Sequence, residues 1–188
     1  MSEQRLREWV LAWSSVYPTE SDDAILHFDG RAALSMQEID TILHWKLETQ
    51  ANYLAVARRN LASQPPEFVL DHVARAVRNP DDQAAFLLLA NIKGFQIAIA
   101  SSILMATQPD RYTVYDVRAK KSLVALGELH LNPAKGEWLN YLHSCRSIAR
   151  RTLLDLRTVD RALFSAKGQL GLPKSFIEPE PHWLGALP

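Results

Sequence analysis

Apolar residues recur at helical spacing along almost the whole chain. Over residues 3–17 the apolar positions are Leu6, Trp9, Val10, Trp13 and the pair Val16–Tyr17, a period that predicts a helix closed by Pro18. The two tryptophans, four apart on one face, read as core. After a polar loop, a short segment over 25–28 leads to a turn at Asp29–Gly30. Ser35-Met36-Gln37-Glu38 has the form of a capping box, in which the Ser hydroxyl and Glu carboxylate satisfy free amides at a helix start. From there the spacing predicts one long helix to about residue 61, with Ile39, Ile42, Leu43, Leu47, Leu54 and Ala57 as its inner stripe. Pro65–Pro66 punctuates, a helix over 67–77 stops before Asn79–Pro80, and Asp81 or Asp82 caps the next.

The second half continues in the same manner. An apolar helical segment is interrupted at residues 92–96, Ile-Lys-Gly-Phe-Gln, and resumes as a second apolar segment rich in small residues, a helix-hairpin-helix over 82–106. Further helices are expected over 117–126, ending at Gly127, over 137–149, and over 156–166 before Gly168. Strand-like patterning is confined to residues 112–115, too short for a sheet. The tail over 172–188 holds four prolines and is expected to pack irregularly, anchored by Phe176 and Trp183. With no internal repeat and no long linker, residues 1–188 read as one all-α domain.

Composition changes this picture little. Apolar residues make up 47% of the chain, enough for a sizeable core without covalent staples. The lone cysteine, Cys145, excludes an internal disulfide and any cysteine-held cluster, and reads as packing. The start lacks a signal-peptide pattern, and no apolar run approaches the roughly 20 residues needed to cross a bilayer, so a cytoplasmic protein without membrane contact is expected. His44, His72 and His143 lack ligand-like spacing, and no metal is expected.

Charge changes it more. The net charge is zero, yet residues 1–90 carry 8 Lys and Arg against 13 Asp and Glu, and residues 91–188 carry 13 against 8. Acids gather at Glu20, Asp22, Asp23, Asp29, Glu38 and Asp40. Bases gather at Arg118, Lys120 and Lys121, and at Arg146, Arg150, Arg151, Arg157 and Arg161. One basic face would suit a polyanion, whereas for charge alone a solvated surface is the favoured account. Arg157 and Arg161 are expected to pair with Asp160 or Asp155 at the surface.

The chemistry-bearing residues lie around the hairpin. A sharp turn between two helices exposes amides at the start of the second, near Phe95 to Ile97, and these with the helix dipole form an anion site suited to phosphate. Gly94 supplies the positive φ such a turn needs. Asp116 then stands as an isolated carboxylate ahead of Arg118, Lys120 and Lys121. A plain αα-hairpin, with Asp116 as the N-cap of the following helix, explains the same residues without a ligand.

Residues 92–100, Ile-Lys-Gly-Phe-Gln-Ile-Ala-Ile-Ala, resemble the hairpin of the helix-hairpin-helix (HhH-GPD) superfamily of DNA glycosylases, whose pattern is roughly Leu-Pro-Gly-Val-Gly-x-x-Thr-Ala. The resemblance runs over about residues 87–123, through a Pro-containing loop to the step Val114-Tyr115-Asp116. It implies a two-lobed, all-α fold and excision of a damaged or modified base from double-stranded DNA after base flipping, with Asp116 as the catalytic carboxylate. Lys93, Gly94, Gln96, Arg118, Lys120 and Lys121 would meet the DNA backbone, and Trp45, Lys46 and Tyr115 would line the substrate pocket. At this helical spacing Trp45 is more often a core residue, and Tyr115 is equally placed for inward packing. Gln96 replaces the hairpin's second glycine, and the cysteine cluster of some relatives is absent. Ala98 occupies the place of the Schiff-base lysine of bifunctional members, which implies hydrolysis without strand cleavage. No cofactor is expected, a monovalent cation at the hairpin is left open, and the protein is expected to act as a monomer. A DNA-binding protein without chemistry and a helical protein-interaction module are the alternatives.

Overall fold

The computed structural model describes residues 1–132 and 134–176, and among these every regular element is helical. The anchors expected in the tail, Phe176 for its side chain and Trp183 altogether, lie outside the described residues. The α-helices are α1 (Glu3–Ser14), α2 (Asp23–Leu26), α3 (Met36–Leu47), α4 (Ala51–Ala62), α5 (Pro66–Arg78), α6 (Asp82–Ala90), α7 (Ile97–Thr107), α8 (Val117–Leu126), α9 (Glu137–Thr152) and α10 (Leu156–Ala166).

Their ends follow the local signals. The Ser35–Glu38 capping box forms in both directions at α3, Asp81 caps α6 through the Ala84 amide, and Gly127 ends α8 in the left-handed conformation. The expected single helix to residue 61 is instead two, α3 and α4, broken at residues 48–50, where Gln50 has φ −128° and ψ 58°. Glu48, Thr49 and Gln50 are all exposed, so no buried side chain holds this turn in helical register. The apolar stripe keeps its phase across the break, which is why periodicity alone does not reveal it.

The helices sort into two packed groups. In one, α1 and α10 lie together, with α8 and α9 against them; in the other, α3 packs on α7, α4 and α2, and α5 packs on α6 and α7. The first group joins the start of the chain to its second half, and the second is the stretch between. Helix α7 is buried over all residues from Ile99 to Thr107. Each large aliphatic chain buried in such a position contributes about 1.5–3 kcal/mol. Its two serines satisfy themselves by donating to the Ala98 carbonyl, Ser101 at 2.9 Å and Ser102 at 2.8 Å.

Candidate functional site

The chain between α7 and α8 is extended and closely held. Tyr115 donates its amide to Ser101 Oγ on α7 at 2.9 Å, and the buried Tyr141 hydroxyl on α9 donates to the Val114 carbonyl at 2.9 Å. These two bonds fix the residues that precede Asp116. Asp116 itself is the N-cap of α8: its Oδ1 accepts the Arg118 amide at 2.8 Å, while Oδ2 accepts Lys46 Nζ at 3.0 Å. The pair joins α3 of one packed group to α8 of the other, with side chains 10% (Lys46) and 16% (Asp116) exposed.

Two cavities meet at this pair. The first, about 450 Å³, is walled by Tyr17, Trp45 and Phe164, with Lys46, Gln50, Asp116, Arg157 and Asp160 among its polar lining. The second, about 330 Å³, lies along the hairpin and is lined by Gly94, Gln96, Ile97, Ala98, Tyr53 and Val56, again with Lys46, Gln50 and Asp116. One carboxylate–ammonium pair therefore stands in the wall common to an aromatic cavity and a hairpin cavity.

The hairpin has the geometry a turn of this sequence requires. Gly94 has φ +97°, Phe95 N–H bonds the Ile92 carbonyl at 2.9 Å, and Gln64 clamps the Lys93 peptide by accepting its N–H at 2.9 Å and donating to its C=O at 3.0 Å. Helix α7 starts at Ile97 with no side-chain cap, so its first amides lack a side-chain acceptor at the positive end of the helix dipole.

The floor of the first cavity is charged and buried. Arg157 donates Nε and one Nη to the two oxygens of Asp22, at 3.2 and 2.6 Å, and its other Nη to Asp160. Arg161 also reaches Asp22, at 2.9 Å. Burial holds the Asp160 carboxyl above its ordinary range despite the pull of Arg157. This corrects the expected surface pairing of Arg157 and Arg161. Asp160 is a true partner, but Arg157 is only 8% exposed and Asp22 is fully buried. Asp22 lies 135 residues away in sequence, beyond the reach of local charge patterning.

The expected site residues divide accordingly. Trp45, Lys46 and Asp116 come together, with Gly94 and Gln96 in the adjoining cavity. Arg118 rims the first cavity, its guanidinium 4.8 Å from the Phe164 ring centroid. Tyr115 is buried, lines the hairpin cavity and not the aromatic one, and donates its hydroxyl to Glu137. Burial, then this bond, pushes the Tyr115 hydroxyl pKa up, and Glu137, hydrogen-bonded by Lys120 and Tyr115, stays below its usual range. Lys120 is thus tied to Glu137, while Lys93 and Lys121 are exposed. Tyr17, Phe164, Arg157 and Asp160 were not singled out from the sequence as pocket residues. They come from the loop after α1 and from α10, and only folding brings them to Trp45. No family model, curated protein or solved structure matches the chain.

Proposed function

We propose that this chain is a DNA N-glycosylase of the helix-hairpin-helix kind, which removes a damaged or modified base by hydrolysis of its N-glycosidic bond. The observation that carries the reading is the position of Asp116, a carboxylate at the N-terminus of α8 in the wall shared by the aromatic cavity and the hairpin cavity. The grouping of the helices, chain start with second half and central stretch by itself, supports the two-lobed fold that the resemblance implies.

On this reading the hairpin turn and the first amides of α7 hold a backbone phosphate, and the flipped base enters the cavity between Tyr17, Trp45 and Phe164. A cavity of about 450 Å³ falls within the usual range of small-molecule clefts, about 300–1,000 Å³. As the bond breaks, positive charge develops on the deoxyribose. The Asp116 carboxylate stabilises that charge and orients the attacking water, and the hydrogen bonds from Arg118 N–H and Lys46 Nζ hold it in place. With Ala98 at the place of the Schiff-base lysine, helix α7 carries no lysine. The substrate is double-stranded DNA, bound by a single copy of the chain without a cofactor.

The test is release of free base from a panel of duplexes, each with one damaged or modified base, comparing wild type with Asp116→Asn. Wild type releases at least one base, and the variant is slower by about 10²–10³-fold. If no duplex loses a base, the enzymatic reading fails. Salt-sensitive duplex binding in the same preparation then leaves a non-catalytic DNA-binding protein, and no binding at low salt leaves an interaction module.

A further inference from the structure

Arginines already stand against every aromatic wall of the first cavity. The Arg118 guanidinium lies 4.8 Å from the Phe164 ring centroid, and that of Arg157 lies 5.4 Å from Tyr17 and 5.9 Å from Trp45. The charged side chains of the lining balance, with Lys46, Arg118 and Arg157 against Glu48, Asp116 and Asp160. A cation entering this space meets rings already engaged by guanidinium groups and no surplus of negative charge. The floor offers hydrogen bonds instead. Arg157 is 8% exposed, and a guanidinium carries five N–H groups. Nε bonds Asp22, one Nη bonds Asp22 and the Tyr17 hydroxyl, and the other Nη bonds Asp160. These bonds leave one Nη N–H without a partner among the described residues, on a buried side chain that lines the cavity. Asp160, equally buried, lines the cavity beside it. Its carboxylate is approached by Arg157, the Thr113 hydroxyl and the Val114 amide, and with about four acceptor positions it can take one more donor.

We propose that the aromatic cavity takes a neutral planar heterocycle with an acceptor and an N–H side by side on one edge, and that Arg157 and Asp160 read that edge. The proposal rests on the DNA reading above for the source of the heterocycle, and it names the bases that reading admits. Arg157 donates its remaining N–H to the acceptor, Asp160 accepts the neighbouring N–H, and Tyr17, Trp45 and Phe164 enclose the ring. A heterocycle alkylated on that edge leaves the buried donor or acceptor unmet. Sites built around such a hydrogen bond reject a ligand that lacks it far more strongly than apolar pockets reject a change of one methyl group. A base made cationic by alkylation of a ring nitrogen gains nothing from rings that already face arginine. Oxidation and deamination, by contrast, leave a neutral base with an N–H beside a carbonyl oxygen, and these are the classes this floor admits. Both reading residues belong to α10, whereas Asp116 caps α8, so selection and chemistry are carried by different elements.

The experiment uses free heterocycles, so that it reads the cavity apart from any reaction on DNA. Binding to the full wild-type chain is followed by NMR titration with two matched pairs of probes. 1-Methyluracil and 1,3-dimethyluracil are both neutral, and only the first has an N–H on its edge. 9-Methyladenine and 7,9-dimethyladeninium share an edge, and only the second is a cation. The first member of each pair is expected to bind about tenfold more tightly than the second, with shifts at the Trp45 indole N–H and the Arg157 Nε–H. Asp160→Asn is expected to narrow the difference within the uracil pair. Equal binding within a wild-type pair, tighter binding of the cation, shifts confined to other residues, or failure of every probe to bind overturns the proposal. So does an unchanged uracil difference in Asp160→Asn. The wild-type comparison decides the matter even where that variant folds poorly. Base release from duplexes keeps the two readings apart. Preferential release of a cationic alkylated base over oxidised and deaminated ones overturns this proposal and leaves the DNA reading standing. Selective binding of the free probes by a chain that releases no base from any duplex overturns the DNA reading and leaves this site standing.

Discussion

At Gly94 an added Cβ would lie 2.9 Å from the Asn60 Cβ and 3.3 Å from the Ala57 carbonyl, on a backbone with φ +97°. Both the conformation and the space exclude a side chain, because α4 packs directly on the turn. Gly94→Ala is therefore expected to destabilise the protein by about 1–3 kcal/mol, read from chemical denaturation. If the chain binds duplex DNA as proposed, the substitution is also expected to weaken that binding, because the turn sets the start of α7. An unchanged midpoint would mean that the turn relaxes without cost. The need for glycine here is legible in the sequence, where a short turn must separate two apolar helices. The partnership of Lys46 with Asp116 is not legible, because the two are 70 residues apart on helices that belong to different packed groups. Trp45 illustrates the same limit. Helical spacing offers the core or the cavity, and only the arrival of Tyr17 and Phe164 decides for a half-buried ring on the cavity wall.

At the scale of elements, the segment leading to Asp116 is anchored at its start by Arg111, which with Arg146 of α9 converges on Asp82 of α6. Burial alone would raise the Asp82 pKa, but the hydrogen bond and charge of Arg146, then those of Arg111, outweigh it and leave the carboxyl below its ordinary value of 3.8. A carboxylate whose folded pKa is depressed contributes stability that is fully present above the unfolded value and is lost as pH falls through the folded one. Asp82→Asn is thus expected to lower stability by about 1–3 kcal/mol at neutral pH. The gap to wild type should narrow as pH falls below the ordinary value of 3.8. Urea denaturation of both proteins across this range checks it, and a gap independent of pH would assign the effect to packing instead. Element ends were the most legible feature of this chain, since Ser35, Asp81 and Gly127 act through neighbours a few residues away. The break at residues 48–50 was not legible, and it matters to the site. It ends α3 just after Lys46 and turns α4 back onto the hairpin, opening the space that becomes the two cavities.

Over the whole molecule, the division into an acidic first half and a basic second half is a fact of the sequence that folding largely cancels. Asp22 and Asp160 balance Arg157 and Arg161, Asp82 is shared by Arg111 and Arg146 and offsets one of their two charges, and Glu128 holds Arg151. The cations left exposed around the hairpin and the start of α8 are fewer, namely Lys93, Arg118 and Lys121. If these meet phosphates, the logarithm of the duplex association constant should fall against the logarithm of salt concentration with a slope of about −2 to −3, since each neutralised phosphate contributes about −0.9. Lys93→Gln should reduce that slope by about one. Arg151→Gln, whose charge is already committed to Glu128, should leave it unchanged. A steep slope carried equally by all the arginines would instead mean that the internal ion pairs open on binding. A slope near zero would remove the electrostatic basis for a nucleic-acid partner, however well the cavities suit a base. The measurement thus separates the charge that the sequence displays from the charge that the folded surface retains.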